Sequence, residues 1–517
     1  MEWYKTQGRK FSLFLRSFGM AKLWLVVLVV MLAPLALAQT PALATGEALA
    51  HARSLFRQGD FSGAAAAFQK IIDRQPLADA QGGLVQSLLK LDDVQSAEEH
   101  SRLALEQFPQ SPLMHATRGD VYFRRGLMAE AQEEYATALK MDAKCARAWL
   151  GRGQIDSAVS RRKQAREAFS KARELDPNDG DAWYSWATGL SYPENVTELE
   201  KHMAEFRSDA ERERHEHEHI DLLKALAGRR VWIPAREVSQ SEIHLEQMFI
   251  GPGRMRGVGL KVRLNDAATV SLLLDTGASG ILIGPKLAEK IKVKKLSEHS
   301  LEGAGDSGPA KGYVAWVDKI TIGDLEFHDC IVRVTSKNNV ASEDGLIGTD
   351  VFDKYLVTID FPANKLRLNP LPESLAKEAE EPFAPQTGSF TQVFSFGHLL
   401  LMPTHVGDTG GLFALDTGAI TNSISPGLAR QVGKVHDSNI PVRGISGSVT
   451  NVFTTDEAVL QFSRFRQPHE NIITFDVHAL SKDLGTEVSG FIGFATLKKM
   501  KLIINYRDGL VDFDYKP

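Results

Sequence analysis

Cysteine is nearly absent: the chain has two in 517 residues, Cys145 and Cys330. Two cysteines so far apart exclude a disulfide scaffold and make no metal cluster, so both are expected as buried free thiols. An excess of one charge is lacking too. A formal net charge of -5 over this length offers no basic face to nucleic acid or to an anionic membrane. Long apolar runs are missing beyond residue 38. The one that exists, Leu23 to Ala38, follows Lys5, Arg9, Lys10, Arg16 and Lys22 and closes on Ala36-Leu37-Ala38. A basic start, a short apolar core broken by Pro34 and a small-x-small end read as a secretory signal peptide over 1–38, and so as an exported, periplasmic or secreted chain. The alternative is an uncleaved anchor, because the run nearly spans a bilayer; only then is a membrane a partner. Hydrophobic residues make up 43% of the chain, enough for several cores.

What is present first is a repeat. Gly119, Ala131, Tyr135 and Ala138 recur 34 residues on as Gly153, Ala165, Phe169 and Ala172. Ala97 and Ala104 hold the small positions one period earlier, and Pro109 closes that unit. Ala64, Phe68 and Pro76 form a first copy, one residue short of register. Small residues at fixed sites let paired helices approach, and the large residue four positions on fills the gap. The pattern resembles the tetratricopeptide repeat. That implies an all-α solenoid over 45–190 whose groove docks a protein or peptide, or a spacer that holds the next domain. Trp183, Tyr184 and Trp186 are expected to cap its core.

Residues 191–245 read as a charged helical linker. Within it, "HEHEH" from His215 to His219 formally matches H-E-x-x-H, the zinc-peptidase spacing. The surrounding run has no apolar face to pack a metal-bearing turn, so a solvated helix face is the better reading. A zinc peptidase stays as a remote alternative, and no metal is expected.

After about Val231 the texture changes to short Val/Ile/Leu runs punctuated by Gly and Asp, the mark of a mainly-β region. Here the chain repeats itself. "LLLDTGASGILIGPKLA" (272–288) returns as "FALDTGAITNSISPGLA" (413–429), with Pro285 and Pro426, Leu287 and Leu428, and Ala288 and Ala429 in one frame. Farther on, "GLIGTDVF" (345–352) returns as "GFIGFATL" (490–497). Two similar lobes, 246–370 and 389–517, joined by a Pro-rich acidic linker over 371–388, account for this. Two Asp brought face to face by pseudosymmetry share a proton and can polarise a water held between them.

The two lobes resemble aspartic proteases, with lobe lengths similar to the retroviral-type (retropepsin-like) branch. The resemblance implies two closed β barrels and no cofactor. It implies that Asp275 and Asp416 are the catalytic pair, with Thr276, Gly277 and Ala278, and Thr417, Gly418 and Ala419, as supporting turns. Ile347-Gly348 and Ile492-Gly493 match the family's second motif. Gly303 and Gly305, and Gly444 and Gly447, fall where its flaps belong. Ala278 and Ala419 stand where pepsin-like enzymes often carry a hydroxyl. The pair should therefore hold its proton to higher pH, and activity is expected from mildly acidic to near-neutral pH. The implied function is an exported endopeptidase acting on protein or peptide, with the repeats as a docking arm. A non-catalytic protein-binding scaffold with degenerate lobes is the alternative. Pairing of the lobes within one chain or between two is left open at this stage.

Overall fold

The computed structural model describes residues 41–336, 344–373 and 388–515. The expected export segment lies outside them, as does most of the expected interlobe linker, 374–387. Among the described residues no helix is long and apolar enough to cross a membrane.

Four consecutive helix pairs come first: Pro41–Arg57 with Phe61–Arg74, Ala78–Lys90 with Val94–Gln107, Pro112–Arg124 with Met128–Met141, and Ala146–Ala158 with Arg162–Leu175. The small-and-large code of the sequence is physical contact. A Cβ on Gly119 or Gly151 would stand 2.6 or 2.1 Å from the Tyr135 ring, which is fully buried between them. Gly153 meets Phe169, and Gly83 meets Phe68, in the same way. The Tyr135 hydroxyl donates to Asp120 at 3.0 Å, so its one polar atom is satisfied. A further pair, Gly180–Thr188 and Glu194–Glu205, and the helix Ala210–Leu226 close the array. Trp183 packs there with Val196, Leu199, Phe206 and Ile220, as a cap on the solenoid.

The helical linker expected over 191–245 ends early. The last helix stops at Leu226, where Ala227 (φ 49°) and Gly228 (φ 73°) turn left-handed. Beyond it Ser241–His244 is a strand, drawn in by pairing with Lys365–Asn369 of the first lobe. That partner is more than 120 residues away in the chain, so local helical propensity does not decide the outcome.

Each lobe is a ring of six strands. In the first the order is Met255–Leu264, Ala268–Asp275, Gly345–Gly348, Ile281–Ile283, Leu325–Thr335 and Ala310–Ile322, which pairs back to the first. In the second it is Leu399–Val406, Thr409–Asp416, Gly490–Gly493, Ser423–Ile424, Phe465–Phe475 and Val452–Phe462, again returning to the start. The parallel and antiparallel senses agree at every step. The letters shared after each Asp now have causes. Pro285 and Pro426 start the short helices Pro285–Lys290 and Pro426–Val432, where a missing N–H costs nothing. Leu287, Ala288, Leu428 and Ala429 are buried beneath them.

One sheet joins the lobes. Its order is Thr391–Gln392, Leu510–Tyr515, Met500–Asn505, Leu356–Asp360, Lys365–Asn369, Ser241–His244, three strands from each side. The seam is antiparallel, Val357 opposite Ile504 and Ile359 opposite Leu502. These four side chains are fully buried in a core that runs through both barrels. The lobes therefore pair within this one chain.

The repeats do not project as an arm. Met128, Tyr135 and Ile155 share a core with Phe394, Leu401, Leu412 and Val488 of the second lobe. Thr486 donates to the Phe123 carbonyl at 2.8 Å, and the Glu487 N–H to that of Arg124 at 2.8 Å. Both thiols are free, Cys330 fully buried and Cys145 partly so; burial pushes the Cys330 thiol up to about 12.

Candidate active site

Each Asp-Thr-Gly-Ala turn leaves the end of an apolar strand. Asp275 ends Ala268–Asp275 and Asp416 ends Thr409–Asp416, and in both cases the second-motif strand lies parallel alongside. Gly348 stands opposite Asp275, and Gly493 opposite Asp416. Both glycines are needed for approach. A Cβ on Gly348 would meet the Ala278 carbonyl at 2.3 Å, and one on Gly493 the Thr421 carbonyl at 2.4 Å. Ile347 and Ile492 are fully buried behind them.

The two turns lock each other through four buried bonds. The Thr276 hydroxyl donates to the Leu415 carbonyl (2.7 Å) and accepts from the Thr417 N–H (2.9 Å). The Thr417 hydroxyl donates to the Leu274 carbonyl (2.9 Å) and accepts from the Thr276 N–H (3.0 Å). This reciprocity brings the carboxyls together. A Cβ on Gly277 would lie 2.8 Å from the Asp416 carboxyl carbon, and one on Gly418 would lie 2.3 Å from an Asp275 oxygen. Each acid thus lies over the other's glycine.

The two acids are not equivalent. Asp416 accepts from the Gly418 N–H at 2.7 Å and the Ala419 N–H at 2.9 Å. Asp275 accepts from one backbone N–H, Gly277 at 2.8 Å. Burial pushes the Asp275 carboxyl well above the usual carboxylate range, and the neighbouring Asp416 charge adds to this. Burial and the facing carboxyl thus both favour the protonated form of Asp275.

Where the lobes diverge after the shared Ala, each has its own brace. Asp350 accepts from the Gly280 N–H and the Ser279 hydroxyl, and Arg333 donates to the Ser279 carbonyl at 2.6 Å. In the second lobe Asn422 accepts from the Gly493 N–H at 2.8 Å.

The expected flaps are hairpin tips that touch. Ser307 N–H donates to the Ser446 carbonyl (2.8 Å), Ser446 N–H to Ala304 (3.1 Å), and Asp306 N–H to Ser448 (3.1 Å). Gly303 lies against Ile445, Gly444 against Ala304, and Gly305 (φ 130°) and Gly447 (φ 103°) bend the two tips. Ile445 crosses to pack with Leu301 and Ala278 of the first lobe. The tips thus bridge the lobes beside the dyad's own loop.

The HEHEH helix binds one of these hairpins. Glu218 accepts from the Ser300 N–H and hydroxyl (2.9 and 2.6 Å). His215 bridges Glu302 of the first-lobe hairpin and Asp483 of the second lobe. His215, Glu302 and Asp483 are the one set among the described residues near enough to share a cation. Arg214 donates to Glu302 at 2.8 Å, so that carboxylate already has a cationic partner. The hydrogen bonds to Asp483 and Glu302 push His215 up to about 10. Since its folded value lies above the ordinary ~6.5, the contact is fully present below that pH and is lost as pH rises through about 10. Amide exchange in the strand Lys294–Leu301 should accelerate over that window, beyond the intrinsic rise with pH, in the native chain and not in His215→Ala.

Sequence reading missed two residues at the dyad, Arg256 and His398. Arg256 donates to the Gly418 carbonyl and His398 to that of Gly277, at 3.1 Å. The signal was faint. They precede their Asp by 19 and 18 residues, because the intervening hairpin turns differ by one residue.

Residues 260–351 match the family model for aspartyl proteases, and residues 49–112 and 117–155 match that for tetratricopeptide repeats. This is a protease-like chain with tetratricopeptide repeats. The family match covers the first lobe; the second is related to it by its identical ring of strands. No curated protein matches the chain. Among solved structures, an aspartic proteinase from Irpex lacteus is similar at 11% identity, covering 54% of this chain and 97% of its own, with a TM-score of 0.34. A thermophilic TPR protein of Thermus thermophilus is similar at 17% identity over 34% of this chain and 97% of its own, with a TM-score of 0.27.

Proposed function

We propose that the chain is an aspartic endopeptidase. The observation that carries this is the reciprocal seating of Asp275 and Asp416, each over the other's glycine, in turns that four cross-lobe bonds hold in register. In the reaction a water between the acids gives a proton to the Asp416 carboxylate as its oxygen attacks the peptide carbonyl carbon. Asp275 gives its proton to the carbonyl oxygen, and a tetrahedral diol results. Asp416 then passes its proton to the leaving nitrogen and Asp275 recovers one from the diol as the C–N bond breaks. The dyad ends with the single proton it began with.

Docking of a protein partner or substrate by the repeats belongs to the same reading. Arg102, Leu105, Glu106, Arg118, Tyr122 and Glu134 line an open groove of about 450 Å³ in the array. Export directed by the 1–38 segment is also part of it. The test is casein or peptide cleavage by the full chain, with and without a pepstatin-type inhibitor, against Asp275→Asn. Equal cleavage by wild type and variant would overturn the dyad's role, and no cleavage by either would leave the non-catalytic scaffold as the better reading.

A further inference from the structure

Arg256 and His398 occupy equivalent places in the two barrels. Gly259 pairs with Leu273, two residues before Asp275, and Leu401 pairs with Ala414, two before Asp416. Arg256 and His398 stand three residues ahead of those partners. Each reaches across the cleft to the carbonyl of the opposite lobe's glycine, Gly418 and Gly277. The bonds are symmetric, but the groups are not. Guanidinium is charged at every working pH. Imidazole here is a neutral donor near neutral pH, because burial holds His398 below its ordinary value despite Asp350 and Asp416 nearby, with Arg333 acting in the same direction as burial.

Building on the aspartic-protease reading, we propose that Arg256 is a positioning residue of the dyad. It ties the Gly418 turn to the first lobe and sets a fixed positive charge beside both carboxyls, so that one side of a symmetric site fixes the pH range in which the pair holds one proton. The charged groups facing Arg256 are Asp275 and Asp416, and both favour its cation against the cost of its burial. Its charge in turn opposes the rise at Asp275. An opposite charge at close range lowers carboxyl proton affinity by about one unit or more. Asp275 is therefore held below the range that burial and repulsion from Asp416 alone would impose.

The test is the pH profile of kcat/KM for the full chain and three variants. Arg256→Met keeps the stem and removes the charge; the basic limb of its profile, where the dyad loses its one proton, should move to higher pH by up to about one unit. Arg256→Lys keeps the charge with a poorer reach to Gly418; its profile should stay in place while kcat falls several-fold. His398→Gln keeps a donor without adding charge, so its profile should also stay. A profile for Arg256→Met that overlays wild type would overturn the proposal, as would an equal shift in His398→Gln. Carbon-13 titration of the Asp275 carboxyl in wild type, Arg256→Met and Arg256→Lys reads the same shift without turnover. A chain that cleaves nothing yet shows the shift contradicts the protease reading alone. A chain that cleaves but shows no shift contradicts this inference alone. If Arg256→Met does not fold, Arg256→Lys decides it: a carboxyl titration displaced from wild type with the charge retained would overturn the proposal.

Discussion

Asp275→Asn is expected to lower peptide hydrolysis by roughly 100- to 10,000-fold, the range lost with a general acid or base, and to stabilise the fold at neutral pH. The second effect follows from sign. Burial, then the Asp416 charge, raises the folded-state proton affinity of Asp275. A group so raised contributes stability that is fully present below its unfolded value, ~3.9, and is lost as pH rises through the folded value. Above that, wild type holds two facing carboxylates, and Asp275→Asn removes one of them. Calorimetry of the two proteins should agree below about pH 4 and diverge above it, the variant melting higher. A variant that is inactive and also less stable at pH 7 would mean that the acid is held by contacts other than the dyad.

Removing the repeats, with a chain that begins at residue 230, is expected to destabilise the lobes severely. Leu412 and Val488 are buried in a core shared with Met128 and Tyr135. A Cβ on Gly126 would lie 3.2 Å from Leu412, which shows how closely the third repeat sits. Uncovering two such side chains costs about 3–6 kcal/mol, a large part of the about 5–15 kcal/mol that holds a domain folded. The hairpin strand Lys294–Leu301 also loses Glu218, which accepts from Ser300. The truncated chain should bind a hydrophobic dye and melt at least about 10 °C lower. A detachable docking arm predicts the opposite, lobes that melt as they do in the full chain.

Much of the fold was legible in particular residues. Gly119 and Tyr135 marked a close helix crossing, and the ring does fill the space a Cβ would need. Pro285 and Pro426 marked helix starts. HEHEH reads locally as a solvated helix face, but Glu216 is buried and Ile220 packs with Trp183. The helix also presents Glu218 and His215 to a hairpin, a role no local pattern signals, because Ser300 and Glu302 lie more than 80 residues on. The end of the last helix was misjudged for the same reason: Ser241–His244 is a strand only because Lys365–Asn369 offers it an edge.

The sequence by itself determined the duplicated turn, the residues it carries and the period of the repeats. These depend on sterics within a few residues: a glycine for a tight approach, a proline for a helix start, a small residue opposite a ring. Only the tertiary structure decided that the lobes close on each other in one chain and that the third repeat is built into the second lobe. It also decided that burial raises the Asp275 carboxyl, and that Arg256 and His398 attend the pair. Those outcomes depend on burial and on the field of groups more than 100 residues apart, and neither exists until the chain has folded.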